Sequence, residues 1–469
     1  MSAAPPFRYD SYHLDPARGL LACQYSLGSR SFTERVSFGT GGRWESPVTA
    51  ATARLVFLLA GVSYYKTAAP AVIDLGGTAV TDTERDFLRA FYLDGLAEFA
   101  YRNSLDLSGL RIEGPVLSGP ARSGPVPNGS AEQPGDPDGR PAAADRPLVP
   151  FGGGIDSIVT VELVRRRAEP ALFIVSRPGD RFEAIERPAA VTGLPVVRAE
   201  REIDPQLLRS RELGFRNGHV PVTGIISAIA VMAAVLDGRD AVVMSNEWSA
   251  SIPTLEDAGR PVNHQYSKSA AFESGFRAVL AESFGERLSY FSALRPFSEL
   301  WVAQRFAALT RYHDTFRSCN RAFHIDKSLR LDHWCGRCDK CCFIDLILAP
   351  FLPAQDLERI FGGREPLAGS DLAGSDLAGT GADASLADRF RTLLGTSPRS
   401  KPFECVGEVG ECRAAALLAA RRPDRAGTKL LQVLAGELAG LPVPPAAELL
   451  RPIGEHFIPD AYAADDLLV

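Results

Sequence analysis

Two short stretches of this sequence carry residue types that do chemistry. The first is Phe151-Gly152-Gly153-Gly154-Ile155-Asp156-Ser157. Consecutive glycines turn tightly and aim several backbone N–H groups at one point, and a helix starting behind them adds positive potential. The loop suits an anion such as a phosphate. Ser157 can donate a hydroxyl to it, and Asp156 can hold the Mg2+ that accompanies a nucleoside triphosphate. The loop lacks the Lys of the Walker A pattern, which disfavours the common ATPase and kinase class. The second stretch is Cys335-Gly-Arg-Cys338-Asp-Lys-Cys341, with Cys319 upstream. Four thiolates at these spacings suit tetrahedral zinc, and a closed four-thiolate shell leaves no vacant position, so the zinc is read as structural. A ferredoxin-type cluster would want a further Cys where Asp345 stands. Cys342 should point elsewhere, and His324 and His333 are nearby ligands that could replace a thiolate.

The elements that must position these residues follow from hydrophobic patterning. Short β-rich runs alternate with helical patterns downstream of residue 147, the signature of βαβ units on a doubly wound parallel sheet. Strands are expected at Leu148–Phe151, Leu172–Val175, Val196–Arg198, Ala241–Met244 and Leu288–Leu294. Helices are expected near Ser157–Arg167, Arg181–Val191, Val220–Leu236 and Ala270–Phe284. This sets out an N-terminal α+β module over 1–112, a Gly/Pro-rich linker over 113–147 and a nucleotide-binding α/β domain over 148–318. A zinc module over 319–352 and a mostly helical C-terminal segment over 353–469 complete the chain. The repeated Leu-Ala-Gly-Ser-Asp near 367–380 reads as a surface spacer.

Composition bounds the rest. The chain has 469 residues, 51 Lys+Arg against 57 Asp+Glu, a net charge of −6 and eight cysteines. That length holds two or three domains with cores of their own, and the weak, dispersed acidity gives no footprint for nucleic acid or an anionic membrane. Few cysteines in so long a chain, most of them clustered, point to metal chemistry in a reducing compartment, hence the cytoplasm. The uncharged Val220–Leu236 run contains Pro221 and Gly224 and is short for a membrane span, so it reads as a buried helix.

The glycine loop resembles the S-G-G-x-D-S loop of the ATP pyrophosphatases, or PP-loop enzymes, with Gly152 where that superfamily has Ser. Leu294-Arg295-Pro296-Phe297 resembles the R-P motif at the matching place, and 7-cyano-7-deazaguanine synthases carry a comparable cysteine cluster. Longer strings are more specific. They include Leu59-Ala-Gly-Val-Ser-Tyr-Tyr-Lys66, Gly218-His-Val-Pro-Val-Thr223, Val262-Asn-His-Gln-Tyr-Ser-Lys268, Trp334-Cys-Gly-Arg-Cys338 and Lys401-Pro-Phe-Glu-Cys-Val-Gly-Glu408. Together they resemble the UDP-N-acetylmuramoyl-L-alanyl-L-glutamate epimerases of bacterial cell-wall synthesis, in which the position of Ile155 often holds Lys. The resemblance implies ATP- and Mg2+-dependent inversion of the terminal L-Glu of UDP-MurNAc-L-Ala-L-Glu through an adenylated carboxylate, with release of AMP and diphosphate. The partner is then a small molecule, with neither nucleic acid nor membrane, and the sequence carries no signal of oligomeric state.

Within that frame Glu247, at the end of the fourth expected strand, is a candidate base or second Mg2+ contact. His219, His264 and Lys268 are candidates for proton transfer or for holding substrate charge. Gly152, Gly153, Gly154, Asp156 and Ser157 would cradle ATP. Arg295, Lys401 and Arg321 are candidate cations for the substrate; Arg337 and Lys340, on the zinc module with Arg321, could also meet its diphosphate, though solvated surface charge is the plainer reading of all three. Cys405 could be a racemase-like thiol, but a buried structural thiol is the commoner state. The rivals are another AMP-forming PP-loop enzyme, such as a tRNA thiolase or nucleobase-precursor ligase, and a non-catalytic zinc-dependent interaction module.

Overall fold

The computed structural model describes residues 5–117, 146–285, 287–369, 385–398 and 401–462. The expected linker and the Leu-Ala-Gly-Ser-Asp repeat lie largely outside these residues. The strands are β1 (Phe7–Asp15), β2 (Leu20–Leu27), β3 (Arg30–Ser37), β4 (Val72–Asp74), β5 (Arg111–Glu113) and β6 (Pro147–Pro150). They continue with β7 (Ala171–Ser176), β8 (Val196–Glu202), β9 (Ala241–Met244), β10 (Leu255–Asp257), β11 (Arg260–Val262) and β12 (Ser289–Ser292). All but β10 and β11 form one ten-stranded sheet, ordered β12-β9-β6-β7-β8-β3-β2-β1-β4-β5.

The five strands β12, β9, β6, β7 and β8 run parallel, in the doubly wound order expected. The order reverses beside β6: the chain leaves β6 for β7 and β8 on one side, then returns to β9 and β12 on the other. At such a reversal the loops leaving two neighbouring strands diverge and open a crevice at the strands' carboxyl ends. These strands read as almost continuous apolar runs because both faces are covered. Val149, Val243 and Phe291 pack into the core on one face. Leu148, Val242 and Tyr290 pack into a second core on the other. Each fully buried Val, Leu or Phe contributes roughly 1.5–3 kcal/mol, so the alternation along each strand locks its register.

The N-terminal module is not separate from this sheet. β1, β2 and β3 form an antiparallel meander, and β3 pairs antiparallel with β8 through Arg35–Glu202, Val36–Arg201 and Ser37–Glu200. A free β3 edge would expose a row of unpaired backbone groups, and β8 satisfies them. The join is reinforced by buried Glu34, which accepts from Arg201 Nε at 2.8 Å and from Tyr64 Oη at 3.0 Å. The helical stretch Pro47–Tyr65 is the only one among the described residues long and apolar enough to cross a membrane, and 78% of its apolar window is buried in the protein. Its first part, Pro47–Ala60, packs on helix Val222–Leu236. The C-terminal helices Asp339–Leu348, Leu386–Leu394, Val409–Ala420 and Lys429–Glu437 form a layer that packs on helix Glu299–Ala307, which packs in turn on helix Ile155–Val164 over β6 and β9.

Candidate active site

The loops leaving β6, β9 and β12 emerge side by side at the carboxyl end of the parallel sheet. After β6 the chain turns through the three glycines into helix Ile155–Val164. Gly153 has φ +76°, and a Cβ there would lie 2.4 Å from the Ala184 carbonyl oxygen, so the turn needs glycine. A Cβ on Gly154 would meet Ser318 Oγ at 2.9 Å, whereas one on Gly152 would meet nothing within 4 Å. That side of the turn is open, at the unpaired N–H groups of a helix start. Ile155 is buried in the core, so the position that often holds Lys in the resembled family does packing here. Ser157 Oγ donates to the Gly154 carbonyl at 3.1 Å, within its own turn.

Asp156, in the first turn of this helix, faces Glu247 after β9 and Glu299 at the start of helix Glu299–Ala307. Burial, and then the Glu247 charge, push the Asp156 carboxyl up to about 7 against the opposing pull of Lys340 and Lys268. Glu299 is pushed up by burial and then by Asp156 and Glu247. One oxygen of each carboxylate, Asp156 Oδ1, Glu247 Oε2 and Glu299 Oε2, is buried without a hydrogen-bond partner. Glu411 fixes the third wall: its Oε1 accepts from the Glu299 backbone N–H at 3.1 Å and its Oε2 from that of Glu408 at 2.9 Å. Buried carboxylates that feel one another's charge repel, and a divalent cation held by one or two of them would relieve that repulsion and take up an unpartnered oxygen. Oxygen donors of this kind suit Mg2+.

Arg295 differs from its expected role at the substrate. It is 1% exposed, and its guanidinium donates to Glu273 Oε2 at 2.9 Å, to the Glu247 carbonyl at 2.9 Å and to the Lys268 carbonyl at 2.5 Å. It is a strut that ties the Glu247 and Lys268 loops together. Arg321 stands exposed on the turn after Cys319. Lys401 is half-buried, with its charge felt at Cys412 in helix Val409–Ala420.

His264 and Lys268 come together with a residue set aside from the sequence, Cys405. His264 Nδ1 lies 2.5 Å from Glu98 Oε2, and the His219 ring sits 4.2 Å from the His264 ring. The His264 ring lies 6.5 Å from the Phe403 ring, which brings it beside the loop of Cys405, and the Cys405 thiol feels both His264 and Lys268. Burial would raise this thiol, but Lys268, His264 and Lys340 bring it down to about 6. His264 rises to about 9, with Cys405 and Glu98 outweighing burial, and burial with the His264 charge takes His219 down to about 4. Cys405 is thus only half-buried and electropositive in its surroundings, the reverse of an inert core thiol. Glu98 gave no signal in the sequence because its helix, Ala97–Arg102, pairs it at i,i+4 with Arg102 like any surface carboxylate.

The cysteine cluster behaves as expected. The sulfurs of Cys319, Cys335, Cys338 and Cys341 all lie within 4.8 Å of one another, with Cys335–Cys341 at 3.6 Å and Cys338–Cys341 at 3.4 Å. Zn–S bonds of 2.3 Å put tetrahedral sulfurs about 3.8 Å apart, so the four could hold zinc. Backbone N–H groups of Arg337 and Cys338 point at Cys335 Sγ, at 3.5 and 3.4 Å. Cys342 is fully buried elsewhere in the core. His324 is exposed beside Asp326, and His333 is half-buried beside Asp332. Lys340, between two of these cysteines, is no solvated charge: it is half-buried and its Nζ donates to the Cys405 carbonyl. A cleft of about 280 Å3 lined by Arg181, Ala184, Arg317 and Arg330 lies behind the glycine turn, where the Arg317 N–H donates to the Gly153 carbonyl at 3.4 Å.

Two family models match the chain: the MurL N-terminal domain over residues 1–293 and the MurL C-terminal domain over residues 315–448. A UDP-N-acetyl-alpha-D-muramoyl-L-alanyl-L-glutamate epimerase of Salinispora tropica is 38% identical, covering 97% of this chain and 94% of the relative. One from a Micromonospora species is 38% identical, covering 97% and 96%. One from Xanthomonas oryzae pv. oryzae is 37% identical, covering 97% and 95%. The match runs through the glycine turn, the Glu98–His264–Cys405 group and the four-cysteine module alike, and the chain belongs to the MurL family.

Proposed function

We propose that this chain is a cytoplasmic epimerase that inverts the terminal L-Glu of UDP-MurNAc-L-Ala-L-Glu to D-Glu in peptidoglycan precursor biosynthesis. In this reading ATP activates the glutamate carboxylate as an acyl adenylate, with release of AMP and diphosphate. The family, and the names of relatives aligned over nearly the whole chain, support the substrate and the inversion. The observation that carries the ATP reading is the trio of unpartnered buried carboxylate oxygens on Asp156, Glu247 and Glu299 beside an open glycine turn.

The chemistry explains why activation is needed. Taking the α-proton beside a free carboxylate builds charge on charge, whereas the acylated form carries a far more acidic α-proton. Mg2+, when held by one or two of the carboxylates Asp156, Glu247 and Glu299, would neutralise phosphate charge during adenylation. The glycine turn would cradle the phosphates, in the role it has in the PP-loop enzymes it resembles. Lys268 and Lys340, whose charges reach Asp156, are the cations available to the glutamate carboxylate and the departing phosphate. Arg295 keeps Glu247 and Lys268 in register from behind. Zinc at the four cysteines would shape the loop that brings Lys340 in.

The test is to incubate the protein with ATP, Mg2+ and UDP-MurNAc-L-Ala-L-Glu, measure pyrophosphate, then hydrolyse the product and resolve D- from L-Glu. D-Glu accompanied by substrate-dependent pyrophosphate is expected. D-Glu without pyrophosphate would remove adenylation, and absence of D-Glu would remove the epimerase reading itself.

A further inference from the structure

Cys405 is the one thiol in the described chain held among cationic side chains, and the loop that carries it is fixed from three directions. Phe403 packs its ring 5.9 Å from Tyr101 and under Arg102, whose guanidinium carbon lies 4.8 Å from the ring centre. Asn320, beside Cys319, donates to Glu404 Oε1 at 3.1 Å, and Lys340 holds the Cys405 carbonyl. The side chain then meets Lys268 and His264. Since Glu98 engages His264 Nδ1, Nε2 is the ring atom left for the thiol. Glu98, His264 and Cys405 thus form a carboxylate–imidazole–thiol relay, in which the carboxylate orients the ring and the ring holds the sulfur's proton balance. Lys268 feels the charges of Cys405, Glu247 and Asp156 alike. A carboxyl group held at Lys268 is therefore near both the thiol and the carboxylates beside the glycine turn.

From this juxtaposition we propose that Cys405 transfers the proton at the glutamate α-carbon, with His264 and Glu98 as positioning residues. The inference rests on the epimerase reading and names the group that performs its central step. The Cα–H bond breaks, an S–H bond forms, and the electron pair moves onto the oxygen of the activated carboxyl. A proton that originates in water returns to the opposite face of the α-carbon, forming the inverted Cα–H bond. The sulfur's proton leaves through His264 to solvent. A thiol suits the task because it gains and loses a proton near neutral pH and is weakly solvated. Its lowering to about 6 by Lys268 and His264, against burial, agrees with the geometry.

The experiment follows two signals with full-length protein, ATP, Mg2+ and UDP-MurNAc-L-Ala-L-Glu in D2O: substrate-dependent ATP–pyrophosphate exchange and deuterium at the glutamate α-carbon. Cys405→Ser should retain exchange and lose deuterium incorporation and D-Glu by roughly 1000-fold, the upper part of the range for a general base. Glu98→Gln should lower the rate of deuterium incorporation with the substrate KM unchanged, a split that mere loss of structure does not give. Deuterium incorporation in Cys405→Ser within tenfold of the parent would overturn the proposal. So would a glutamyl thioester on Cys405 detected by mass spectrometry after hydroxylamine trapping, which would make the sulfur a nucleophile. If the parent epimerises without pyrophosphate exchange, adenylation fails, yet α-deuterium still decides the thiol. Should Cys405→Ser melt early, the parent alkylated at Cys405 by iodoacetamide, mapped by mass spectrometry, should retain exchange and lose α-deuterium, and deuterium incorporation within tenfold of the untreated parent would overturn the proposal.

Discussion

Two regions of this protein hold electron-rich side chains crowded together, and they are built in opposite ways. In the four-cysteine module four sulfurs face one another, with backbone N–H groups as their main further company. In the chamber below the glycine turn, carboxylates and a thiol face lysines and histidines, and three carboxylate oxygens have no partner. The four sulfurs come from Cys319 upstream, from Cys335 and Cys338 before helix Asp339–Leu348 and from Cys341 in its first turn, segments that an ion bound to all four would tie together. The chamber's ligands sit at strand ends and helix starts that two hydrophobic cores already hold. Acceptors that shape a loop are structural, whereas acceptors kept apart by rigid packing, at an electrostatic cost, are held for a ligand.

The strongest way to break this contrast is Cys338→Ser. Structural zinc contributes on the order of 10 kcal/mol to small sites, comparable with the whole stability of a domain. The variant should lose zinc by elemental analysis and melt far below the parent, and activity should vanish as Lys340 is displaced. A zinc-free variant with the parent's Tm would erase the distinction. Asp156→Asn probes the other region with a smaller and different effect. It should lower substrate-dependent pyrophosphate release by roughly 100- to 1000-fold while leaving Tm unchanged or higher, because one of three repelling buried charges is gone. A collapse in Tm would make that carboxylate structural.

The smallest effect sharpens the contrast between the two kinds of thiol. His264, raised from 6.5 to about 9, contributes stability that is complete below pH 6.5 and lost as pH rises to about 9. Cys405, lowered from 9.0 to about 6, contributes stability that is complete above pH 9 and lost as pH falls to about 6. The two slopes oppose, so this pair leaves stability nearly flat between pH 6.5 and 9. Cys405→Ser should expose the downward slope of His264, on the order of 1 kcal/mol across the window, read by urea midpoints at several pH values. A variant as flat as the parent would mean that Glu98 alone does not raise His264.

Much of this was legible in the sequence. The parallel strands and their helices fall within a few residues of their expected bounds, because their periodicity is local and both faces of the sheet are buried. The glycine turn and the cysteine spacing were readable for the same reason, since each is a single short string. The less readable parts were those whose partners are remote. Lys340 reads as a surface charge until its Nζ meets the Cys405 carbonyl. Arg295 reads as a substrate contact until Glu273 and the carbonyls of Glu247 and Lys268 take up its donors. Glu98 and Cys405 belong to opposite ends of the chain and meet only through His264.

By itself, then, the sequence determined the strand and helix pattern, the phosphate-binding turn, the four sulfurs and, through its longer strings, the family. The tertiary structure decided that the N-terminal meander extends the same sheet, through β3 and β8. It also decided which charges converge, and that Cys405 rather than any cysteine of the cluster stands among cations. The division has a physical cause. Hydrogen-bonding pattern and amphipathicity act over a few residues and are written in order along the chain. Charge and desolvation act through space, so a side chain's chemistry is fixed only when folding has chosen its neighbours.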